Sequence, residues 1–177
     1  MTEPSSTEKQ QSVNTGILGE DLVALWLEGQ GWQILARRWR CRWGELDLVA
    51  IENVPPMLAF VEVKTRGGKS WDGGGLLSIT ESKREKLCLA AEMFLSDRPE
   101  LADYPCRFDV AIVNYRTLSP KKANNRFLAR GSGNIAVAQL AGPSDVRPLI
   151  VELGRPVAVE SYEFVLKEYI ESAFSSY

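Results

Sequence analysis

The side chains of this sequence best suited to chemistry are two carboxylates and a lysine: Asp47, Glu62 and Lys64. Opposed carboxylates repel each other, so a protein that brings two together needs a compensating charge, which a divalent metal ion can supply. Mg²⁺ or Mn²⁺ takes oxygen ligands, lowers the pKa of a bound water and neutralises charge that develops on a phosphate. A neighbouring lysine can orient the attacking water. The set predicts metal-dependent hydrolysis of phosphate esters.

A β-hairpin is the element that would position these side chains. Residues 45–52 alternate polar and apolar side chains, and residues 57–64 are rich in apolar and β-forming residues. Between them, residues 53–56 read Asn-Val-Pro-Pro, a sequence typical of a turn. We therefore predict two antiparallel strands that are joined at this turn.

The length of the turn predicts the register of the hairpin. If the loop has four residues, Glu52 pairs with Met57, and Asp47 then lies directly across from Glu62. Their Cβ atoms would be about 5 Å apart. Lys64 follows Glu62 by two positions and points to the same face of the strand.

The sequence alone leaves alternatives open for each of these residues. Glu62 and Lys64 could be solvated residues on an outer sheet face, with Glu45 opposite Lys64 as an ordinary ion pair. Glu20 lies on a helix predicted at 16–28 and could supply a further metal ligand, because an inward carboxylate needs a partner. Otherwise Glu20 is an acidic residue of the first turn, favoured by the helix dipole.

A basic and aromatic stretch at residues 37–43 is a candidate surface for nucleic acid. It contains four arginines, two tryptophans and no acidic residue. Arginine forks onto phosphate oxygens, and an indole ring can stack on an unpaired base. The alternative is a solvated strand end whose tryptophans pack into the core. The candidate phosphate contacts are Arg37, Arg38, Arg40 and Arg42, with Lys83 of the second predicted helix extending the surface.

Composition restricts the class of protein. The 177 residues are 45% hydrophobic and carry a net charge of −2, which is typical of one soluble globular domain. The absence of histidine excludes Ser-His-Asp and Cys-His nucleophiles and any histidine-ligated metal. Three separated cysteines fit a reducing cytoplasm. No apolar run reaches the roughly 20 residues needed to span a membrane, so we expect a cytoplasmic protein without membrane association.

The order of elements predicts an α/β domain at residues 15–177 after a flexible tail at residues 1–14, with an insertion at 116–148. Asn14 or Thr15 can cap the first helix. The predicted elements are a helix at 16–28, strands at 32–38, 45–52 and 57–64, a helix that opens at 78–81, a strand at 108–113, a strand within 149–159 and a short closing helix at 164–174.

Motifs in this order resemble the YraN-like family of predicted endonucleases, which belongs to the PD-(D/E)XK nuclease superfamily. The resemblance covers roughly residues 16–115 and the last dozen residues. It implies a restriction-endonuclease-like core, a central mixed β-sheet flanked by helices. The motifs are Gly19-Glu20, Gly44-Glu45-Leu46-Asp47-Leu48, Phe60-Val61-Glu62-Val63-Lys64-Thr65-Arg66, Lys83, Arg107-Phe108-Asp109-Val110 and Ala173-Phe174.

The resemblance also implies a mechanism. Asp47 and Glu62 would be ligands of Mg²⁺ or Mn²⁺, Lys64 the catalytic lysine, and Glu20 the helix-borne acid that completes the site. Arg66 joins the expected nucleic-acid contacts. The pattern is similar to that of archaeal Holliday-junction resolvases, which are metal-dependent homodimers, so branched or structured DNA is an expected substrate. Leu46 stands where the superfamily has its proline, a position that carries no chemistry.

Two other functions fit the same sequence. A non-catalytic nucleic-acid-binding module on this fold would need no metal and would keep its binding after Asp47→Ala. A protein-interaction domain would use exposed tryptophans and the insertion, and would lack salt-dependent binding of nucleic acid. Neither explains why an Asp, a Glu and a Lys converge on one strand face.

Overall fold

The computed structural model describes residues 6–68, 79–119, 130–131, 134–135 and 150–175, with side chains at 14–68, 79–119 and 150–175. The elements in chain order are helix α1 (Ser6–Gly29), strands β1 (Gln33–Cys41), β2 (Gly44–Asn53) and β3 (Pro56–Gly67), helix α2 (Glu81–Ser96), a 3₁₀ turn (Pro99–Leu101), and strands β4 (Cys106–Thr117), β5 (Arg130–Gly131), β6 (Asn134–Ile135), β7 (Pro156–Val159) and β8 (Tyr162–Phe174).

Six of these strands form one mixed sheet in the order β1-β2-β3-β4-β8-β7. Strands β1, β2 and β3 form an antiparallel meander, β3 and β4 run parallel, and β8 returns antiparallel to β4. The parallel pair requires a crossover, and α2 lies within it. The predicted α/β fold with a mixed sheet and flanking helices is confirmed.

The two helices cover opposite faces of this sheet, because alternate residues of β3 pack in different cores. Ala59 and Val61 lie in the core that includes α1, with Leu48 and Ala50 of β2. Leu58 and Phe60 lie in the core that includes α2. The alternation is the period of two expected of a strand that is buried on both faces.

The predicted register of the β2–β3 hairpin is confirmed. Glu52 pairs with Met57, and the ladder continues in the same register to Leu48 and Val61. Asn53 also pairs with Pro56, so the turn residues outside the ladder are Val54 and Pro55. Pro55 thus lies in the turn and Pro56 begins β3, positions that suit a residue with no N–H and a fixed φ.

Helix α1 begins at Ser6, inside the segment that we expected to be a flexible tail. That expectation, and with it a cap at Asn14 or Thr15, is wrong for residues 6–14; residues 1–5 lie outside the described chain. The Ser, Glu, Lys and Gln residues of 6–13 tolerate a helix. Once the apolar part of α1 is packed, extending the helix avoids the cost of a new nucleus.

Strand β1 is longer than the predicted strand at 32–38. It continues to Cys41, so most of the arginine-rich stretch is strand and only Arg42 and Trp43 form the turn to β2. Pairing with β2 is the reason, since Trp39 lies opposite Leu46 and Arg40 opposite Glu45.

The predicted closing helix at 164–174 is wrong, because this segment belongs to β8. Tyr162, Phe164 and Leu166 are buried while the residues between them are only partly buried, which is strand periodicity. The charged residues Lys167, Glu168 and Glu171 imitate helical spacing, but pairing with β4 and β7 prevails.

Of the predicted insertion at 116–148, the structure describes residues 116–119 and the short β5–β6 hairpin. The remainder of that prediction lies outside the described residues. No helix in the described part of the chain is long and apolar enough to cross a membrane.

Candidate active site

The site lies at a fork where β2 and β3 separate. Their paired residues end at Leu48 and Val61, one position before Asp47 and Glu62 would face each other. Beyond that point the backbones of β2 and β3 no longer pair. Instead, the Val63 N–H donates to Oδ2 of the Asp47 side chain at 2.7 Å. A backbone hydrogen bond therefore fixes the Asp47 carboxylate between the two strands.

Glu62 is buried at this fork, with only 4% of its surface exposed. The Lys64 ammonium group donates to its Oε1 at 2.5 Å, and Nζ of Lys83 lies 3.2 Å from its Oε2. The interpretation of Glu62 as a solvated residue of an outer face is therefore wrong. The suggested Glu45–Lys64 pair is not seen either, since Glu45 pairs with Arg40 at 3.1 Å.

This arrangement changes the pKa of the Asp47 carboxyl group. Burial and the nearby negative charge of Glu62 raise the pKa of Asp47 from 3.8 to about 7. The Val63 N–H and the Lys83 ammonium group oppose that rise, and the charge of Glu20 adds to it. Near neutral pH, the site can therefore gain or lose a proton at Asp47.

Glu20 reaches the same region from α1 and is held by an arginine of β1. Its Oε2 lies 2.9 Å from the Arg38 guanidinium, and burial raises its pKa although Arg38 opposes the rise. Close packing of α1 on β3 sets this position, because a Cβ on Gly19 would lie 2.0 Å from Oγ1 of Thr65. Only glycine allows the helix to approach the strand so closely.

Arg37 and Arg38 both face α1, although neighbouring strand residues normally point to opposite faces. Arg38 has φ of 50°, in the left-handed region, and this turn of the backbone brings both side chains to the same helix. Asp21, which is fully buried, accepts from Arg37 at 3.3 Å and from Arg38 at 3.4 Å. These two predicted phosphate contacts are thus engaged with carboxylates of α1.

The other predicted contacts lie closer to solvent. Arg40 is 76% exposed, and the Arg42 guanidinium stacks 4.9 Å from the ring centroid of Trp43, which is 41% exposed. Trp39 instead packs edge-on against Phe94 of α2. Trp39 therefore packs in the core as the alternative interpretation expected, whereas Trp43 is exposed and its stacking on a base stays a prediction. Arg66, near the end of β3, is partly buried.

Sequence reasoning assigned Lys83 to the nucleic-acid surface and missed its contact with Glu62. A usable signal was present, since Lys83 lies in the first turn of α2, three positions after the cap Thr80. The positive end of a helix disfavours a cation, so a lysine there suggests a carboxylate nearby. The role of Arg38 left no signal, because a left-handed residue within a strand cannot be read from the sequence.

The carboxylates at the fork suit the expected metal ion. Asp47 and Glu62 supply the hard oxygen atoms that Mg²⁺ prefers, and Mg²⁺ is commonly held by one or two carboxylates with waters and phosphate oxygens. Oε2 of Glu62 is buried and accepts no hydrogen bond from the described residues, which fits a ligand atom. Within the described ranges, no three or more Cys, Asp or Glu side chains form a group that could hold a metal ion, and Glu20 as a third ligand stays a prediction.

A second buried acid, Asp109, has a different environment. Its carboxylate accepts from the Arg107 guanidinium at 3.0 Å, the Tyr169 hydroxyl at 2.7 Å and the Ser172 N–H at 2.9 Å. Burial raises the pKa of Asp109, and these partners oppose the rise. Asp109 is fully satisfied by contacts that tie β8 to β4, as a structural residue would be.

The sequence is similar to known proteins along most of its length. The model of a family described as "Uncharacterised protein family UPF0102" matches residues 19–113. A UPF0102 protein of Trichodesmium erythraeum is 48% identical over 96% of this chain and 93% of its own. One of Acaryochloris marina is 41% identical over 97% and 96%. A shorter match, to a protein of Synechococcus sp. strain JA-3-3Ab, is 56% identical over 58% of this chain and 77% of its own.

Proposed function

The chain belongs to family UPF0102, and on that premise we propose that it is a metal-dependent endonuclease that hydrolyses phosphodiester bonds in DNA. One observation carries the proposal: buried Glu62 is held by Lys64 and Lys83 beside Asp47, whose pKa is raised to about 7. Such a concentration of opposed, buried charges is costly for stability and is typical of a functional site. The mixed sheet between two helices supports a restriction-endonuclease-like core.

Each residue has a proposed role. Asp47 and Glu62 would hold a hard divalent cation, Mg²⁺ or Mn²⁺, which when bound lowers the pKa of a coordinated water and neutralises charge on the phosphate. Lys64 stabilises the negative charge that develops as water attacks phosphorus in line with the leaving sugar oxygen. Glu20 acts as a supporting acid, kept in place by Arg38.

The turn between β1 and β2 is the proposed contact for DNA. Arg40 is largely exposed although it pairs with Glu45, so Arg40 and Arg42 can reach phosphates, and the exposed ring of Trp43 can stack on an unpaired base. Branched or structured DNA exposes such bases, which supports it as the substrate class. Action as a homodimer in the cytoplasm is part of the proposal and is supported by the resemblance and the composition alone.

A cleavage assay tests the proposal. Labelled single-stranded, duplex, flap and four-way-junction DNAs are incubated with EDTA, Mg²⁺ or Mn²⁺. We expect cutting that requires the metal and falls by at least about 100-fold in Asp47→Asn and in Lys64→Met. Asp103→Asn and Lys86→Met repeat the same substitutions at exposed positions and should leave cutting unchanged.

One observation favours a second candidate, a nucleic-acid-binding module without catalysis. Glu62 already has the ammonium groups of Lys64 and Lys83 as counter-charges, so its burial does not require a metal ion. This candidate predicts DNA binding that persists in EDTA and in Asp47→Asn, with no cutting of any of the four DNAs. Folded wild-type protein with that behaviour would replace the nuclease proposal.

A further inference from the structure

Lys83 occupies an unusual position for a cation. It lies in the first turn of α2, where the helix dipole places partial positive charge, and its own N–H donates to the Thr80 cap. A lysine is disfavoured there unless a nearby anion compensates. Glu62 supplies that compensation at 3.2 Å. The helix end and the Lys83 ammonium group together form a positive corner beside the buried carboxylate.

The two lysines hold Glu62 in different ways. Lys64 makes a hydrogen bond to Oε1 and is 24% exposed. Lys83 is 37% exposed, and although its Nζ is close to Oε2, that oxygen accepts no hydrogen bond within the described chain. The Lys83 contact is therefore a charge attraction without directed bonding, and the Lys83 side chain is already partly exposed to solvent. Lys83 is the partner that Glu62 can release at lower cost.

We propose that Lys83 exchanges partners: it releases Glu62 as this carboxylate takes up a divalent cation, and its ammonium group then contacts a phosphate of the bound DNA. The inference rests on the proposed function and assigns Lys83 a part in binding substrate. The exchange gives each separated charge a new partner, because the cation replaces an ammonium group at Glu62 while the phosphate replaces Glu62 at Lys83.

This exchange predicts effects of opposite sign when Lys83 is replaced by an uncharged residue. In Lys83→Met, Glu62 has lost a competing cation, so Mn²⁺ should bind at least about threefold more tightly without DNA. The same variant lacks the phosphate contact, so its affinity for DNA in the presence of Ca²⁺ should fall at least about threefold. A purely structural lysine would not raise the affinity for one ligand while lowering it for the other.

The experiment measures Mn²⁺ binding by electron paramagnetic resonance and DNA binding by fluorescence anisotropy. Lys86→Met removes the same charge from an exposed position of α2 and should leave Mn²⁺ affinity unchanged. Lys83→Arg keeps the positive charge and should bind DNA about as tightly as the wild type. Lys83→Gln provides a second neutral variant, and thermal unfolding verifies that each variant is folded.

The outcomes separate this inference from the nuclease proposal. Unchanged or weaker Mn²⁺ binding in both neutral variants, unchanged DNA binding, or a wild-type protein that binds no Mn²⁺ overturns the exchange, whether or not the protein cuts DNA. Opposite shifts in a protein that cuts no DNA support the exchange and overturn the nuclease proposal alone.

Discussion

Asp47 is a carboxylate whose charge depends on its surroundings, and this makes stability depend on pH. Its pKa is about 7 in the folded protein and near 3.8 in an unfolded chain, because burial and Glu62 disfavour its charge. The folded state therefore binds the proton more tightly. The resulting stabilisation is complete below pH 3.8 and is lost as pH rises through 7.

We expect Asp47→Asn to remove this loss. In EDTA at pH 8 the variant should be more stable than the wild type by about 2 kcal/mol, and at pH 4 the difference should nearly vanish. Urea unfolding at the two pH values measures both differences. Asp103→Asn, at an exposed position, should behave as the wild type at both. Equal effects of Asp47→Asn at pH 4 and pH 8 would contradict the raised pKa.

At the scale of elements, the approach of α1 to β3 positions Glu20. A Cβ on Gly19 would lie 2.0 Å from Oγ1 and 3.1 Å from Cβ of Thr65, so Gly19→Ala must move the helix or the strand. We expect a loss of about 1–3 kcal/mol in the free energy of unfolding, since a well-packed contact is overfilled. Urea denaturation measures the loss.

Two comparisons make this prediction specific. Gly16→Ala lies in the same helix with nothing within 4 Å of the new Cβ, so it should be neutral or stabilising by up to about 1 kcal/mol. Thr65→Ala removes the clashing oxygen, so Gly19→Ala should cost less in that background. Equal losses in both backgrounds would show that the clash with Thr65 is not the cause.

At the scale of the whole molecule, Asp109 links the last strand to the sheet. It accepts from the Tyr169 hydroxyl and the Ser172 N–H of β8, while its own backbone belongs to β4. Both strands are irregular here, with a register shift between Phe108 and Val110. The carboxylate thus replaces ladder contacts that the shift removes.

Tyr169→Phe tests that link. It removes one donor to a buried carboxylate and should lower the free energy of unfolding by about 1–3 kcal/mol. Tyr104→Phe removes a hydroxyl that makes only an exposed 3.5 Å contact with Asn53, and should have little effect. A Tyr169→Phe protein as stable as the wild type would contradict the role of Asp109.

The parts of the structure that could be predicted from the sequence depend on local features, namely turn residues and the alternation of side chains along a strand. The Pro-Pro turn and strand alternation gave the register between Glu52 and Met57, and with it the approach of Asp47 to Glu62. Tertiary pairing decided what the sequence did not predict. Residues 164–174 became a strand because β4 and β7 pair with them, and Arg37 and Arg38 turned from the solvent to α1 because buried Asp21 requires cations.

The hydrogen bond from the Val63 amide to Asp47 makes this amide a spectroscopic reporter of the state of the Asp47 carboxylate. That amide depends on a side chain for its partner, since the β2–β3 ladder ends before it. Its proton resonance should therefore shift whenever the carboxylate gains a proton, and shift differently when it takes up a cation. A single assigned peak would then follow the state of the site in solution without any substrate.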